Sequence, residues 1–241
     1  MSLPFIAADM SRLDFEQSAA GFILAGLDEA IHKHGEASLF LSGGSTPGPI
    51  YEKLSESDFN WGKINIGLVD ERWVGEKDKG SNAALIRRTL LKDAAKTAHF
   101  RPMKTAHKTP ELGQKSVEES YQLLFKAPSI AVLGMGLDGH ICSWFFDATG
   151  FHQAINPDNS ALAQAITAKP TETTGVYLER MTLTLSALEH CDKILLLISG
   201  HEKKSVLEAA IQSNGKVLPV SYLLNMVNNK PNNPLTILHA A

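Results

Sequence analysis

The sequence predicts an α/β fold, a mostly parallel open sheet with helices on both faces. Short apolar runs alternate along the chain with segments of helical periodicity, the pattern of repeated strand and helix units. One run, Ile194-Leu195-Leu196-Leu197-Ile198, is apolar at every position, which suits a strand buried on both sides at the sheet centre. Four of the runs end in loops rich in glycine and polar residues. Ligands in open α/β sheets sit beyond the carboxyl ends of the strands, so these loops are expected to converge on one pocket.

The first element reads as an amphipathic helix: Phe15, Ala19, Phe22, Ile23 and Ala30 recur at helical spacing, with Ser11 or Asp14 as N-cap and Gly35 as the stop. A strand over Ala37 to Leu41 ends in the Ser42-Gly43-Gly44-Ser45-Thr46-Pro47 loop. The next, Ile64 to Val69, ends in a loop of Asp70-Glu71-Arg72-Trp73, after which Ser81-Asn82 opens a helix through Leu91. Glu111 to Phe125 is helical. Ile130 to Leu133 is a strand ending in Gly134 to His140, and Ile194 to Ile198 ends in Ser199 to Lys203, with a helix from Lys203 to Gln212. Asn156 to Ser160, Lys169 to Glu172 and Asn225 to Pro234 are turn-prone. No repeat, low-complexity tract or linker breaks the series, so residues 1–241 are expected to form one domain.

With 44% apolar and 20% charged residues, the chain has the material for a sizeable core. A net charge of -3 and no long basic run give no electrostatic case for nucleic acid or an acidic membrane surface, so anion recognition must be local. Cys142 and Cys191 lie far apart, in neither CxxC spacing nor a Cys/His cluster, which points to a reducing compartment and no metal site. The first residues lack a charged region leading into a long apolar one, and no stretch approaches a spanning length. A soluble cytoplasmic protein is expected.

Within the first loop, Gly43 and Gly44 let backbone amides approach an anion, Ser45 or Thr46 can cap the following helix, and Pro47 suits its first turn. The same six residues also describe an ordinary strand-to-helix turn. Asp70 and Arg72 follow a buried strand, where charges are either paired with each other or functional, because an unpaired buried charge is costly. Three glycines in Gly134-Met135-Gly136-Leu137-Asp138-Gly139-His140 make a turn that presents an imidazole beside free amides, and histidine is the side chain best suited to proton transfer near neutrality. Arg180, just before the alternating Met181 to Leu185 run, is either a surface charge or an inward anion fork. Lys203 opens a helix where the dipole disfavours a cation, which an anionic ligand would explain; Lys204 reads as its solvated neighbour. Cys142 fits a small buried wall residue better than a nucleophile.

Together the 42–47 loop, Asp70-Glu71-Arg72-Trp73, Ser81-Asn82, the Gly134 to His140 turn, Arg180-Met181-Thr182-Leu183-Thr184 and Gly200-x-x-Lys203 resemble 6-phosphogluconolactonases, in that family's order across about residues 37 to 224. The resemblance implies a Rossmann-like domain of the sugar-phosphate isomerase/lactonase type. It implies hydrolysis of the phosphorylated sugar lactone made by glucose-6-phosphate dehydrogenase in the pentose phosphate pathway, with no cofactor and no metal. By the same resemblance His140 is the base, Asp70 supports the polar network around it, and Arg72 supplies positive charge near the reacting carbonyl or the phosphate. Gly43, Gly44, Ser45, Thr46, Asn82, Gly136, Arg180 and Lys203 bind substrate.

One departure stands out. After His140 the family usually continues Thr-Ala-Ser-Leu-Phe-Pro, whereas this chain has Ile141-Cys142-Ser143-Trp144-Phe145-Phe146, whose added aromatic bulk is expected to reshape the pocket wall or its lid. The alternatives are a related aminosugar-phosphate deaminase or isomerase and a non-catalytic sugar-phosphate sensor. The acidic residue that the deaminase branch places soon after this turn is replaced by aromatics here, and no DNA-binding segment is read within these 241 residues.

Overall fold

The computed structural model describes residues 5–212 and 217–241. Seven strands form a sheet in which every neighbouring pair is parallel, in the order β1 (Phe5–Met10), β10 (Leu235–Ala240), β9 (Lys193–Ser199), β6 (Ser129–Gly134), β2 (Ala37–Leu41), β3 (Ile64–Leu68) and β5 (His99–Phe100). The all-apolar run is β9, which is interior but not central; β6 takes the middle place. β1 and β10 extend the sheet beyond the strands read from the sequence.

Helix α1 (Arg12–His34) begins at Ser11, not Asp14: the Ser11 hydroxyl accepts the Asp14 N–H, and the helix stops at left-handed Gly35 (φ 84°). α2 (Gly48–Ser55) starts later than the 42–47 loop suggested, and neither Ser45 nor Thr46 caps it; Pro47 holds the cap position without a side-chain bond. α3 (Asn82–Thr89) is capped by Ser81 and stops short of Leu91. α4 (Pro110–Leu124) is capped by Thr109. Short helices α5 (Phe151–Ile155) and α6 (Leu185–Glu189) precede α7 (His201–Gln212) and α8 (Pro219–Asn228). α8 absorbs the first part of the stretch expected to be turn-prone, because Val220, Leu223, Leu224 and Val227 bury one apolar face. α1 packs on β1, β2, β6 and β10, and α4 packs on β3. Among the described residues no helix is long and apolar enough to cross a membrane.

A second, antiparallel sheet in the order β4 (Asp70–Arg72), β8 (Glu179–Leu183) and β7 (Ala163–Thr167) lies beside the first, held to it by α4, which contacts β3, β7 and β8. Asp70-Glu71-Arg72 is therefore a strand and not a loop. After β3 the chain leaves the parallel sheet at Val69, whose N–H bonds Leu41 O and whose carbonyl accepts Leu183 N–H.

Sheet order explains the convergence of the loops. β9, β6, β2 and β3 are consecutive neighbours, so their carboxyl ends lie side by side. From β2 the chain builds outward through β3 and β5, then returns to the other flank with β6, β9 and β10. The direction reverses between β2 and β6, the kind of switch point where parallel sheets open a crevice.

Candidate active site

At that switch point the ends of all four strands line one cavity of about 210 Å³. Its wall includes Gly43, Gly44, Ser45 and Thr46 after β2, Asp70, Arg72 and Asn82, Gly136 and His140 after β6, Arg180 on β8, and Lys203 on α7. Each of the sequence-derived candidates thus lies in one place. Thr46 Oγ1 and Ser199 Oγ, 3.3 Å apart, tie the β2 and β9 loops together.

The turn after β6 is a tight hairpin. Gly136 N–H donates to His140 O (2.9 Å), Gly139 N–H donates to Gly136 O (3.1 Å), and Gly139 is left-handed (φ 76°). A Cβ on Gly136 would fall 2.2 Å from His140 Nδ1, so the imidazole lies directly on the bare glycine backbone. His140 Nδ1 is 2.6 Å from Asp138 Oδ1. A carboxylate accepts, so Nδ1 carries the proton and Nε2 is left as the basic nitrogen. Burial pushes the Asp138 carboxyl up, but hydrogen bonding and charge from His140 outweigh it and hold the group below its ordinary value.

The carboxylate bonded to the His140 ring is therefore Asp138. Asp70 is buried and bonded elsewhere: Oδ2 accepts Ser143 Oγ–H (2.5 Å), Oδ1 accepts Asn82 Nδ2–H (3.2 Å), and Arg180 Nη1 stands 3.8 Å from Oδ2. It braces the segment after His140 through Ser143. The i, i+2 pairing of Asp138 with His140 around Gly139 was visible in the sequence as a spacing.

Arg180 is inward, not a surface charge: 4% exposed, with Nε donating to Tyr177 O (2.9 Å) and Nη2 to Thr174 O (3.0 Å). Burial holds its pKa below the usual arginine value, partly offset by Asp70. Phe145 lies between the two key side chains, its ring 4.5 Å from the His140 ring and 5.0 Å from the Arg180 guanidinium carbon. Lys203 forms no ion pair among the described residues, and burial lowers its pKa. Lys204, by contrast, pairs with Asp9 at 2.8 Å. Arg72 donates through Nη1 to Gly80 O (2.7 Å), while its buried Nε has no partner.

Glu71, fully buried, holds the start of α3: its carboxylate accepts N–H from Arg72, Asn82 and Ala83 (each 2.8 Å) and faces Ser81 Oγ at 3.2 Å. Burial pushes its pKa up to about 7, opposed by those bonds. This contact sets Asn82 against the 42–47 loop so closely that a Cβ on Gly43 would lie 1.9 Å from Asn82 Oδ1. The Ser42 hydroxyl is buried with no partner, at the cavity wall.

Of the six atypical residues after His140, only Cys142 lines the cavity. Trp144 is wholly buried and donates from Nε1 to Leu183 O (2.8 Å), and Phe146, which does not line the pocket, makes a tilted contact with Phe151. Trp144 and Phe145 thus contact β8 and Phe146 contacts α5, and none of the three lines the cavity. Cys142 has a left-handed backbone (φ 51°), and burial, with the Asp70 charge, pushes its thiol pKa well up. Among the described residues, no group of three His, Cys, Asp or Glu side chains is arranged to hold a metal ion.

Residues 11–230 match the family model for glucosamine-6-phosphate isomerases/6-phosphogluconolactonase. The chain belongs to that family. It is 42% identical over 200 residues to a 6-phosphogluconolactonase of Xylella fastidiosa, covering 83% of this chain and 82% of the relative. With the 6-phosphogluconolactonase of Neisseria meningitidis it shares 37% identity over 210 residues, 87% of this chain and 89% of that one. The crystal structure of a 6-phosphogluconolactonase from Shewanella baltica superposes with a TM-score of 0.88 at 33% identity, covering 99% of this chain and 98% of the other.

Proposed function

We propose that this chain hydrolyses 6-phosphogluconolactone to 6-phosphogluconate, the lactone-opening step of the pentose phosphate pathway, with water activated by His140. The observation that carries the mechanism is the Asp138–His140 pair, with His140 lining a cavity that Arg72, Arg180 and Lys203 also line. Ester hydrolysis needs a base for water, positive charge where the carbonyl oxygen becomes anionic, and cations to hold the remote phosphate. His140 Nε2 takes a proton as water oxygen bonds to the lactone carbonyl carbon. Arg72 stabilises the resulting oxyanion. The ring C–O bond then breaks as the imidazolium returns its proton to the leaving sugar oxygen, giving a carboxylic acid and a hydroxyl.

Arg180, Lys203 and the amides of Gly43 to Thr46 anchor the phosphate, with Asp70 and Asn82 fixing the wall between the two ends. One domain carries the whole reaction, in a cytoplasmic setting that the two buried free cysteines support. No step uses a metal ion, so exhaustive chelation is expected to leave the rate unchanged. The deciding experiment is lactone hydrolysis measured against the spontaneous background, with glucosamine 6-phosphate as a parallel substrate. Turnover of the aminosugar phosphate in place of the lactone would overturn the reading.

A further inference from the structure

Beside the cavity, and sharing Gly44, Ser45, Arg72 and Asn82 with it, lies a second concavity of about 290 Å³. Arg72, Lys79 and Arg88 bring three positive charges to its lining, with Ser45 as a hydroxyl donor and Leu85 as an apolar wall residue; the Ser81 hydroxyl is already donated to Glu71. No carboxylate lines it. The nearby acids are already committed. Asp78 accepts Tyr177 Oη–H (2.6 Å) and Gly80 N–H (2.7 Å), Glu76 pairs with Arg87 (2.8 Å), and Glu71 is taken up by the start of α3. Among the described residues neither Lys79 nor Arg88 is in an ion pair.

Arg72 supplies the independent sign of a ligand. Its Nη1 donates to Gly80 O, and its Nε is buried without a partner where the side chain borders both cavities. Nε and Nη2 of a guanidinium together form the two-donor fork that matches two oxygens of one phosphate or carboxylate group, and neither is bonded among the described residues. A buried donor is costly to leave unmade, so a site of this kind is built for an acceptor.

We propose that Arg72, Lys79 and Arg88 form a second oxyanion subsite adjoining the lactone pocket, which takes either a free phosphate ion or the second anionic group of a doubly charged phosphosugar. The inference rests on the proposed function for the identity of the neighbouring pocket, but the subsite itself is a property of these residues. Because Arg72 borders both cavities, an anion held here neutralises part of the charge that faces the reacting carbonyl. Occupancy therefore lowers turnover, while an anion in the main pocket only competes with substrate.

The test is a titration of the whole protein with inorganic phosphate, alongside a Lys79→Ala/Arg88→Ala double variant. Wild type is expected to bind two phosphates per chain and the double variant one; in kinetics, phosphate lowers kcat in wild type but only raises KM in the variant. Without phosphate, both have the same kcat. Glucose 1,6-bisphosphate against glucose 6-phosphate separates the two sources. An advantage of about tenfold or more for the bisphosphate, lost in the variant, assigns the site to a second group on the sugar, and equal affinities assign it to the free ion. One phosphate per wild-type chain, or two retained in the double variant, overturns the proposal. Two phosphates bound by a wild type that does not hydrolyse the lactone would instead overturn the functional reading and leave the subsite standing.

Discussion

Arg72 and Arg180 stand directly opposite each other across the antiparallel β4–β8 pair. Like charges in that position repel, and Asp70, on the same face of β4, offsets only part of the charge from 3.8 Å. The residual positive charge is what an anionic substrate would neutralise. Saturating 6-phosphogluconate is therefore expected to raise the unfolding temperature, a ligand at 100 times its Kd adding about 2.7 kcal/mol. Arg180→Lys keeps the charge but cannot reproduce the bonds to Tyr177 and Thr174, and Lys203→Ala removes a pocket cation that forms no ion pair among the described residues. Each is expected to weaken 6-phosphogluconate binding by about 1.5 to 3 kcal/mol in isothermal titration. Unchanged affinity in both would put the phosphate anchor elsewhere.

His140→Ala is expected to remove about 10²- to 10⁴-fold of the rate, the usual worth of a general base, while circular dichroism and 6-phosphogluconate affinity stay near wild type. Gly136→Ala tests the same group without touching it. The new Cβ would sit 2.2 Å from Nδ1, so the ring must move, and a displacement of about 1 Å can cost on the order of 10²-fold. The loss should fall on kcat, with KM little changed. A Gly136→Ala enzyme with full turnover would show that the observed imidazole position is not the working one.

The parallel framework was legible because buried parallel strands are continuous apolar runs: Ala37 to Leu41 and Ile194 to Ile198 announce themselves. The pocket followed from the same strands, since loops at adjacent carboxyl ends must meet. What stayed hidden was the second sheet. Its three-residue strand Asp70–Arg72 carries no apolar periodicity, and the alternation at Met181 to Leu185 had no visible partner. For the same reason the contacts within the site could not be drawn from the sequence. Asp70 was read as a support of the polar network around His140, but which groups it would touch was not visible; pairing with β8 sets its carboxylate against Arg180 and Ser143, while Asp138 bonds the imidazole. Ser45 and Thr46 looked like helix caps, yet the turn runs on to Pro47 before α2 starts.

Glu71 gives a pH signature. Its folded value of about 7 lies above its ordinary 4.5, so folding retains a proton on this group between those values. Stability is then highest with the group protonated and falls as pH rises from about 4.5 through 7, by up to about 1.4 kcal/mol per unit for one proton. Urea midpoints at pH 5, 6, 7 and 8 should show this slope in wild type and lose it in Glu71→Gln. Glu71→Gln should also be less stable at pH 5, since an amide offers one acceptor oxygen to three backbone N–H groups. Parallel pH profiles for the two proteins would contradict the assignment.

Cys142 lines the cavity two residues after His140, where a thiol invites a covalent mechanism. The structure argues against one. Burial and the Asp70 charge disfavour the thiolate, and only the thiolate is a competent nucleophile. Its left-handed backbone (φ 51°) is a strained conformation for a residue with a side chain, held between the buried Ile141 and Ser143. Cys142→Ser is therefore expected to keep substantial lactone hydrolysis, and rapid mixing should show no product burst. A cysteine mechanism would pass through a thioester formed as the ring opens, detectable by intact-protein mass spectrometry as an added phosphogluconoyl mass. A trapped adduct on Cys142, with turnover lost in a folded Cys142→Ser variant, would replace His140-activated water with covalent catalysis.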